Sequence, residues 1–226
     1  MIGGAVNAVG LTNPGINWWA EKIGPKVDPK KVPLIGSIYS EEIEELRAMA
    51  FVMNKAELVA LEFNASCPNT KGNLLSASNA TQIIRSAEEI KKVSRHPVWV
   101  KLSVVHDAKK IVPNLKGIAE ALSINSVPWE KVFPNHTSPL TKYDGGGVSG
   151  RIAQPFTWSF ALELQELTHI PVIAPSIWNF SDIEKLRAEG IRAFSFGSVF
   201  LCHPWRPTLY VRRYRKQIRT QQGEAR

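Results

Sequence analysis

The sequence predicts an α/β protein built on parallel strands, and three observations carry that prediction. From residue 33 onward, short β-rich runs alternate with helical patterns. Several runs are apolar nearly throughout, as in VPLIGSI (32–38) and HPVWVKL (96–102), which suits strands covered on both faces. Clusters of small polar residues and glycine fall directly after the strands, as in NASCPNTKGN and NHTSPLTKYDGGGVSG. Alternation alone fits an open doubly wound sheet or a closed barrel. No GxGxxG follows the first strand, which removes the main support for a dinucleotide-binding sheet, whereas polar clusters at strand ends line one mouth of a TIM-type barrel.

Six strands are expected, over Val32 to Ile38, Leu58 to Asn64, Pro97 to Ser103, Trp129 to Asn135, Ile170 to Pro175 and Arg192 to Gly197. After Ser40, the acids Glu41, Glu42, Glu44 and Glu45 favour a helix start, and Ile43, Leu46, Ala50 and Met53 recur at helical spacing. Ile83, Ala87 and Ile90 mark a second stripe. Pro113 breaks the tract from Val112 to Leu115. Near the end, Ser181 with Glu184 forms an expected capping box, Ile183 and Leu186 face the sheet, and Gly190 supplies the stop.

A chain of 226 residues, 44% hydrophobic, can bury one core, so residues 1–226 are read as a single domain with a basic tail over about 206–226. No basic segment leads into an apolar run at the N-terminus, and no uninterrupted apolar stretch reaches about 18 residues, so neither a signal nor membrane insertion is expected. The two cysteines, Cys67 and Cys202, form neither a CxxC pair nor a disulfide framework, which fits the cytoplasm. The five histidines show no metal-binding spacing, and no metal is expected. Much of the net charge of +8 lies at the C-terminus, where Arg206, Arg212, Arg213, Arg215, Lys216, Arg219 and Arg226 stand against Glu224. Interleaved with Tyr210 and Tyr214, this run could meet nucleic acid, but charge runs are mostly solvated faces, and no nucleic acid partner is expected.

The segment from Glu62 to Thr70 (EFNASCPNT) ends a strand in a burst of small polar groups. Asn amides and a Ser hydroxyl suit a flat, carboxylated ring, and a thiol on a loop serves as a base once its pKa falls. On its own, a lone cysteine is more often a small buried hydrophobe. Lys101, inside an otherwise apolar strand, is costly to bury unpaired.

In this order along the chain, NAVGLTNPG (7–15), NASCPN (64–69), VKLS (100–103), GGVSG (146–150) and Gly197-Ser198 resemble the dihydroorotate dehydrogenases, in the class 1 type that uses cysteine as base. The resemblance spans roughly residues 4 to 200 and implies a (β/α)8 barrel, of which this chain is similar to the last six units. It implies FMN-dependent oxidation of dihydroorotate to orotate in pyrimidine synthesis, with Cys67 as base. Asn7, Gly10, Leu11, Asn64, Ser66, Asn69 and Asn135 would hold the substrate, and Asn64, Lys101, Gly146, Gly147, Ser149, Gly150, Gly197 and Ser198 the FMN. A homodimer or an electron-transfer subunit is the implied partner. The sequence departs from the family where Ala174-Pro175-Ser176-Ile177 stand in place of phosphate-loop glycines, and where Asn135-His136-Thr137 stand in place of Asn-Thr. A barrel relative that keeps a pyrimidine site without catalysis is the alternative, and a flavin enzyme acting on another pyrimidine or on tRNA uridine is a third reading.

Overall fold

The computed structural model describes residues 3–66, 79–143 and 145–224, with side chains through residue 219. Its strands are β1 (Gly4–Asn7), β2 (Ile35–Ile38), β3 (Ala60–Asn64), β4 (Val98–Leu102), β5 (Ala121–Ile124), β6 (Val127–Pro128), β7 (Gly147–Gly150), β8 (Val172–Ala174) and β9 (Ala193–Phe194). The helices are α1 (Ile16–Lys22), α2 (Ile43–Met53), α3 (Ala80–Val93), α4 (Ala108–Ile111), α5 (Trp129–Val132), α6 (Gln154–Leu167), α7 (Phe180–Ala188), α8 (Val199–Cys202) and α9 (Arg206–Glu224). A six-stranded parallel sheet runs in the order β2-β3-β4-β5-β8-β9, as six units of a TIM-type barrel would. A second, antiparallel sheet runs β1-β7-β6.

Strand alternation sorts the large sheet into two chemically different faces. Ile38, Leu61, Phe63, Val98, Val100, Leu102, Leu122, Ile124, Val172 and Ala174 turn toward the helices and are buried. Against them pack Leu46, Ala50 and Met53 of α2, Ile83, Ala87 and Ile90 of α3, Phe160 and Leu164 of α6, and Ile183 and Leu186 of α7. Each large side chain buried here contributes about 1.5–3 kcal/mol. The other face carries Ser37, Glu62, Asn64, Trp99, Lys101 and Ser123, and a sheet with a polar inner row is one prepared to hold something polar.

One expected strand is misplaced. Trp129 to Asn135 was expected as the fourth strand, but Trp129–Val132 winds into the single turn α5, with Phe133 stacked on Trp129 at 4.5 Å. The sheet instead uses Ala121–Ile124, which follows a left-handed turn at Gly117 (φ 79°) and is buried throughout. Its small residues hide it from a search for aromatic and β-branched runs, which WEKVF satisfies better. The cap of α7 also lies two residues earlier than expected. Asn179 and Asp182, not Ser181 and Glu184, form the capping box. Gly190 ends that helix as expected (φ 96°), and Pro113 lies in the 3-10 turn that terminates α4.

The two tyrosines of the basic tail face inward. Tyr210 packs on Phe180 and Phe196 and donates to the Trp178 carbonyl at 3.2 Å, while Tyr214 meets Phe194. Arg213 lies over Phe180 at 4.0 Å and Arg187 over Tyr214 at 5.1 Å, so two arginines clamp α9 to α7. No helix among the described residues is long and apolar enough to cross a membrane.

Strands β2 and β9 each have a sheet neighbour on one side only. Unpaired edges template further strands, so the purified chain is expected to self-associate at micromolar concentration. Light scattering coupled to size exclusion checks this. Ile35→Lys, placing a charge on exposed β2, should raise the monomer fraction, and a parent chain that stays monomeric at high concentration would contradict the edge argument.

Candidate active site

Parallel register sets the inner face out in rows. Ser37, Glu62, Trp99 and Ala121 share one row; Asn64, Lys101, Ser123, Ile173 and Ala193 form the next, nearer the C-terminal strand ends. Glu62 is 7% exposed and joins four strands. It accepts from Ser37 Oγ at 3.1 Å and Ser123 Oγ at 2.7 Å, and pairs with Lys101 Nζ at 2.6 Å. Lys101 therefore does not stand unpaired in its apolar strand.

At the end of β3, Asn64 Oδ1 accepts from the Ser66 amide at 3.3 Å and from Ser66 Oγ at 3.2 Å. Asn125, just after β5, donates from Nδ2 to the Ser66 carbonyl at 2.7 Å, and its own amide donates to the Leu102 carbonyl. Three polar residues from two strand ends thus lock together around buried Ser66. The chain then passes directly to Cys67.

The glycines from 146 to 150 have a structural cause that the sequence does not announce. β1 crosses them antiparallel, pairing Gly4 with Gly150 and Asn7 with Gly147. A Cβ on Gly146 would lie 2.6 Å from the Asn7 carbonyl oxygen, and one on Gly150 2.8 Å from that of Gly3; both glycines have positive φ, 77° and 85°. The same crossing brings Asn7 to this end of the sheet. Gly10 (φ 70°) and Leu11 (φ 59°) turn the chain just beyond it. Leu11, Asn13 and Asn64 then line a cavity of about 500 Å³ shared with Trp18, Trp19 and Tyr39.

A smaller cavity of about 130 Å³ lies beyond the ends of β5, β8 and β9. Ser126, Ser149, Ser176, Ser195 and Ser198 line it, together with Gly150 and Gly197, and among the described residues no carboxylate does. Ser149 Oγ and Ser198 Oγ are 2.6 Å apart. A Cβ on Gly197 would meet nothing within 4 Å, so backbone there faces open space. Hydroxyls and open backbone, with no acid among the described lining residues, suit a phosphate group such as a flavin nucleotide would bring. Helix α8, which follows, is a single turn, so hydroxyls and individual N–H groups, rather than a helix dipole, are what this cavity offers.

The loop where the family carries glycines is held from behind. Asp182 accepts from the amides of Trp178 (2.8 Å) and Asn179 (2.7 Å) and from Gln154 Nε2 (2.9 Å). Gln154 also donates to the Ser176 carbonyl, Thr157 to Ser176 Oγ, and Trp158 Nε1 to the Pro175 carbonyl. Ser176 is thereby kept left-handed (φ 65°), a conformation that costs a residue with a Cβ roughly 1–2 kcal/mol.

The expected residues thus form two groups. Asn64, Ser66 and Lys101 meet on the inner face, and Gly150, Ser149, Gly197 and Ser198 meet at the serine-lined cavity. Asn135 joins neither. It is exposed in the loop after α5, and Asn125-Ser126 occupy the strand end where Asn135 was expected. Cys67 and Asn69 lie outside the described residues. Glu62, Ser123 and Asn125 were missed by sequence reasoning, although Glu62 and Asn64 on β3, and Lys101 on β4, already break apolar strands at the even spacing of one face. Among the described residues no group of three His, Cys, Asp or Glu side chains could hold a metal ion.

Comparison with known proteins agrees with this layout. The family model described as dihydroorotate dehydrogenase matches residues 1–176. A protein of Thermoanaerobacter pseudethanolicus named dihydroorotate dehydrogenase B (NAD(+)), catalytic subunit, is 32% identical over 206 residues, covering 89% of this chain and 68% of the relative. Proteins of the same name from Oceanobacillus iheyensis (31% over 211 residues) and Malacoplasma penetrans (29% over 210 residues) match over 89% of this chain and 68% of their own lengths. With its parallel sheet, its polar strand ends and this match, the chain belongs to the dihydroorotate dehydrogenase family of oxidoreductases.

Proposed function

We propose that this chain oxidises dihydroorotate to orotate, with FMN as the bound acceptor and Cys67 as the base. The observation that carries the reading is the locked cluster of Asn64, Ser66 and Asn125, in which Asn64 lies next to Lys101 in register and Ser66 immediately precedes Cys67 in sequence. Substrate amide and carboxylate groups need donors and acceptors in fixed directions, and Asn64 and Asn125 supply both from rigid strand ends. Asn7, Gly10 and Leu11 approach from the β1 side, with Asn69 as a further substrate contact. The Cys67 thiolate takes the proton from the substrate ring carbon next to its carbonyl.

Lys101, Asn64, Gly146 and the β7 residues Gly147, Ser149 and Gly150 would border FMN, with Ser126, Ser176, Gly197 and Ser198 around its phosphate. When bound, FMN supplies the two-electron acceptor for the hydride that leaves the adjacent ring carbon. The positive charge of Lys101 favours electron-rich flavin in a site of low dielectric. The named relatives are catalytic subunits, which supports an electron-transfer partner subunit for this chain.

Titration with FMN tests the cofactor assignment. Because Pro175 has no N–H and Ser176 carries a Cβ where a glycine would lie closer to phosphate, binding is expected to be saturable but too weak to survive purification intact. Flavin fluorescence quenching reads the affinity. Stoichiometric yellow protein straight from cells would contradict the expected weakness. Absence of binding at millimolar FMN would instead favour the non-catalytic relative, a reading that the replaced phosphate loop supports.

A further inference from the structure

Glu62 is the most deeply placed ionised group on the inner face, and dihydroorotate chemistry at Cys67 does not use it. Its three partners come from three other strands: Ser37 from β2, Lys101 from β4 and Ser123 from β5. Both carboxylate oxygens are engaged, Oε1 by Ser37 and Lys101 and Oε2 by Ser123. A side chain used only to hold strands together does not need a charge, since a buried ion pair is often no more stabilising than well-packed apolar residues. What the charge adds is a fixed place for the ammonium and local neutrality.

We propose that Glu62 is a positioning residue for Lys101, setting both where its ammonium sits and how much positive charge it presents to a flavin at the strand ends. The proposal rests on the reading of Lys101 as a flavin neighbour given above. Lys101 is a quarter exposed at its side chain, so it is reachable from the mouth, while Glu62 beneath it is 9% exposed. The two serines hold the carboxylate in place, and the carboxylate holds the lysine. Charge-bearing bonds of this kind are the strong ones in a protein interior.

The experiment uses FMN-loaded protein and measures sulfite affinity by loss of the flavin's visible absorbance. Sulfite addition leaves negative charge on the flavin ring, so the affinity reports the positive charge held nearby without any turnover. Lys101→Met should weaken sulfite binding about tenfold or more, and Glu62→Gln, which removes the neutralising charge while keeping shape, should tighten it by about tenfold. In the Lys101→Met background, Glu62→Gln should change little, because the ammonium through which the carboxylate acts is gone. Parent-like affinity in Glu62→Gln, with Lys101→Met altered, overturns the positioning role and leaves the flavin reading standing. Parent-like affinity in Lys101→Met removes Lys101 from the flavin site and the proposal with it.

If Glu62→Gln does not accumulate as folded protein, Glu62→Asp replaces it. One methylene shorter, that carboxylate cannot reach Ser37, Ser123 and Lys101 together, and a smaller shift in the same direction is expected. If no variant retains FMN, acetylation of Lys101 followed by peptide mapping decides the question in the flavin-free protein. The ammonium freed in Glu62→Gln or Glu62→Asp should react several times faster than in the parent, and equal rates overturn the proposal.

Discussion

Cys67→Ala is expected to slow anaerobic reduction of bound FMN by dihydroorotate by about 10² to 10⁴-fold, the usual loss when a positioned base is removed. In the proposed mechanism the thiolate accepts the substrate proton, so in the parent this reduction should rise with pH through one deprotonation. Cys67→Ser should keep a remnant that is active only at higher pH, since a hydroxyl is a far weaker base. Orotate should still bind Cys67→Ala, because Asn64, Ser66 and Asn125 hold one another without the thiol. Cys202→Ala is the control, lying exposed at the end of α8, and its rate should match the parent. Stopped-flow absorbance reads all four proteins, and a parent rate in Cys67→Ala would remove the thiol from the chemistry.

The second large effect concerns stability. Asp182→Ala is expected to lower the unfolding free energy by about 3 kcal/mol, because it takes one acceptor from the buried amide of Trp178 and the half-buried amides of Asn179 and Gln154 together. Urea denaturation followed by tryptophan fluorescence measures the loss as a fall in midpoint. The same change should weaken FMN binding, since Gln154 also fixes the Ser176 carbonyl at the serine-lined cavity. Asp107→Ala is the comparison. Asp107 caps the short helix α4 from the surface, accepting from the Lys110 amide and pairing with its ammonium, and the side-chain hydrogen bond from Lys110 lowers its pKa. Losing that surface cap should lower the midpoint far less. Equal midpoints for the two variants would show that the Asp182 cluster is no more than an ordinary helix cap.

Five of the six expected strands fall where β-rich runs pointed, because the face that a strand turns toward covering helices must be apolar. The fourth failed for the converse reason. Ala121–Ile124 earns its place through its neighbours, Lys101 and Leu102 on one side and Val172 and Ile173 on the other, and no local propensity signals that. The same error moved the expected strand-end asparagine from Asn125 to Asn135. The glycine run at 145–150 was legible as a motif but not as a strand, since its form is imposed by β1 crossing from far away in sequence. Glu62 was passed over because acidic side chains in a strand read as solvent-facing. Only the register shows that Ser37, Lys101 and Ser123 converge on it.

The crossing of β1 over β7 also sets an order of events during biosynthesis. Ser149 Oγ donates to the Ala5 carbonyl across 144 residues of chain, and every backbone bond of β1 is made with that same distant strand. At a ribosomal pace of about 5–20 residues per second, β1 waits on the order of ten seconds for its partner to be synthesised. The parallel strands from β2 to β5 emerge within that interval and can begin pairing next to next. Asn7, Gly10 and Leu11 are therefore made well before β7 and reach their final places after it, so this end of the site closes only once the sheet beneath it has begun to form.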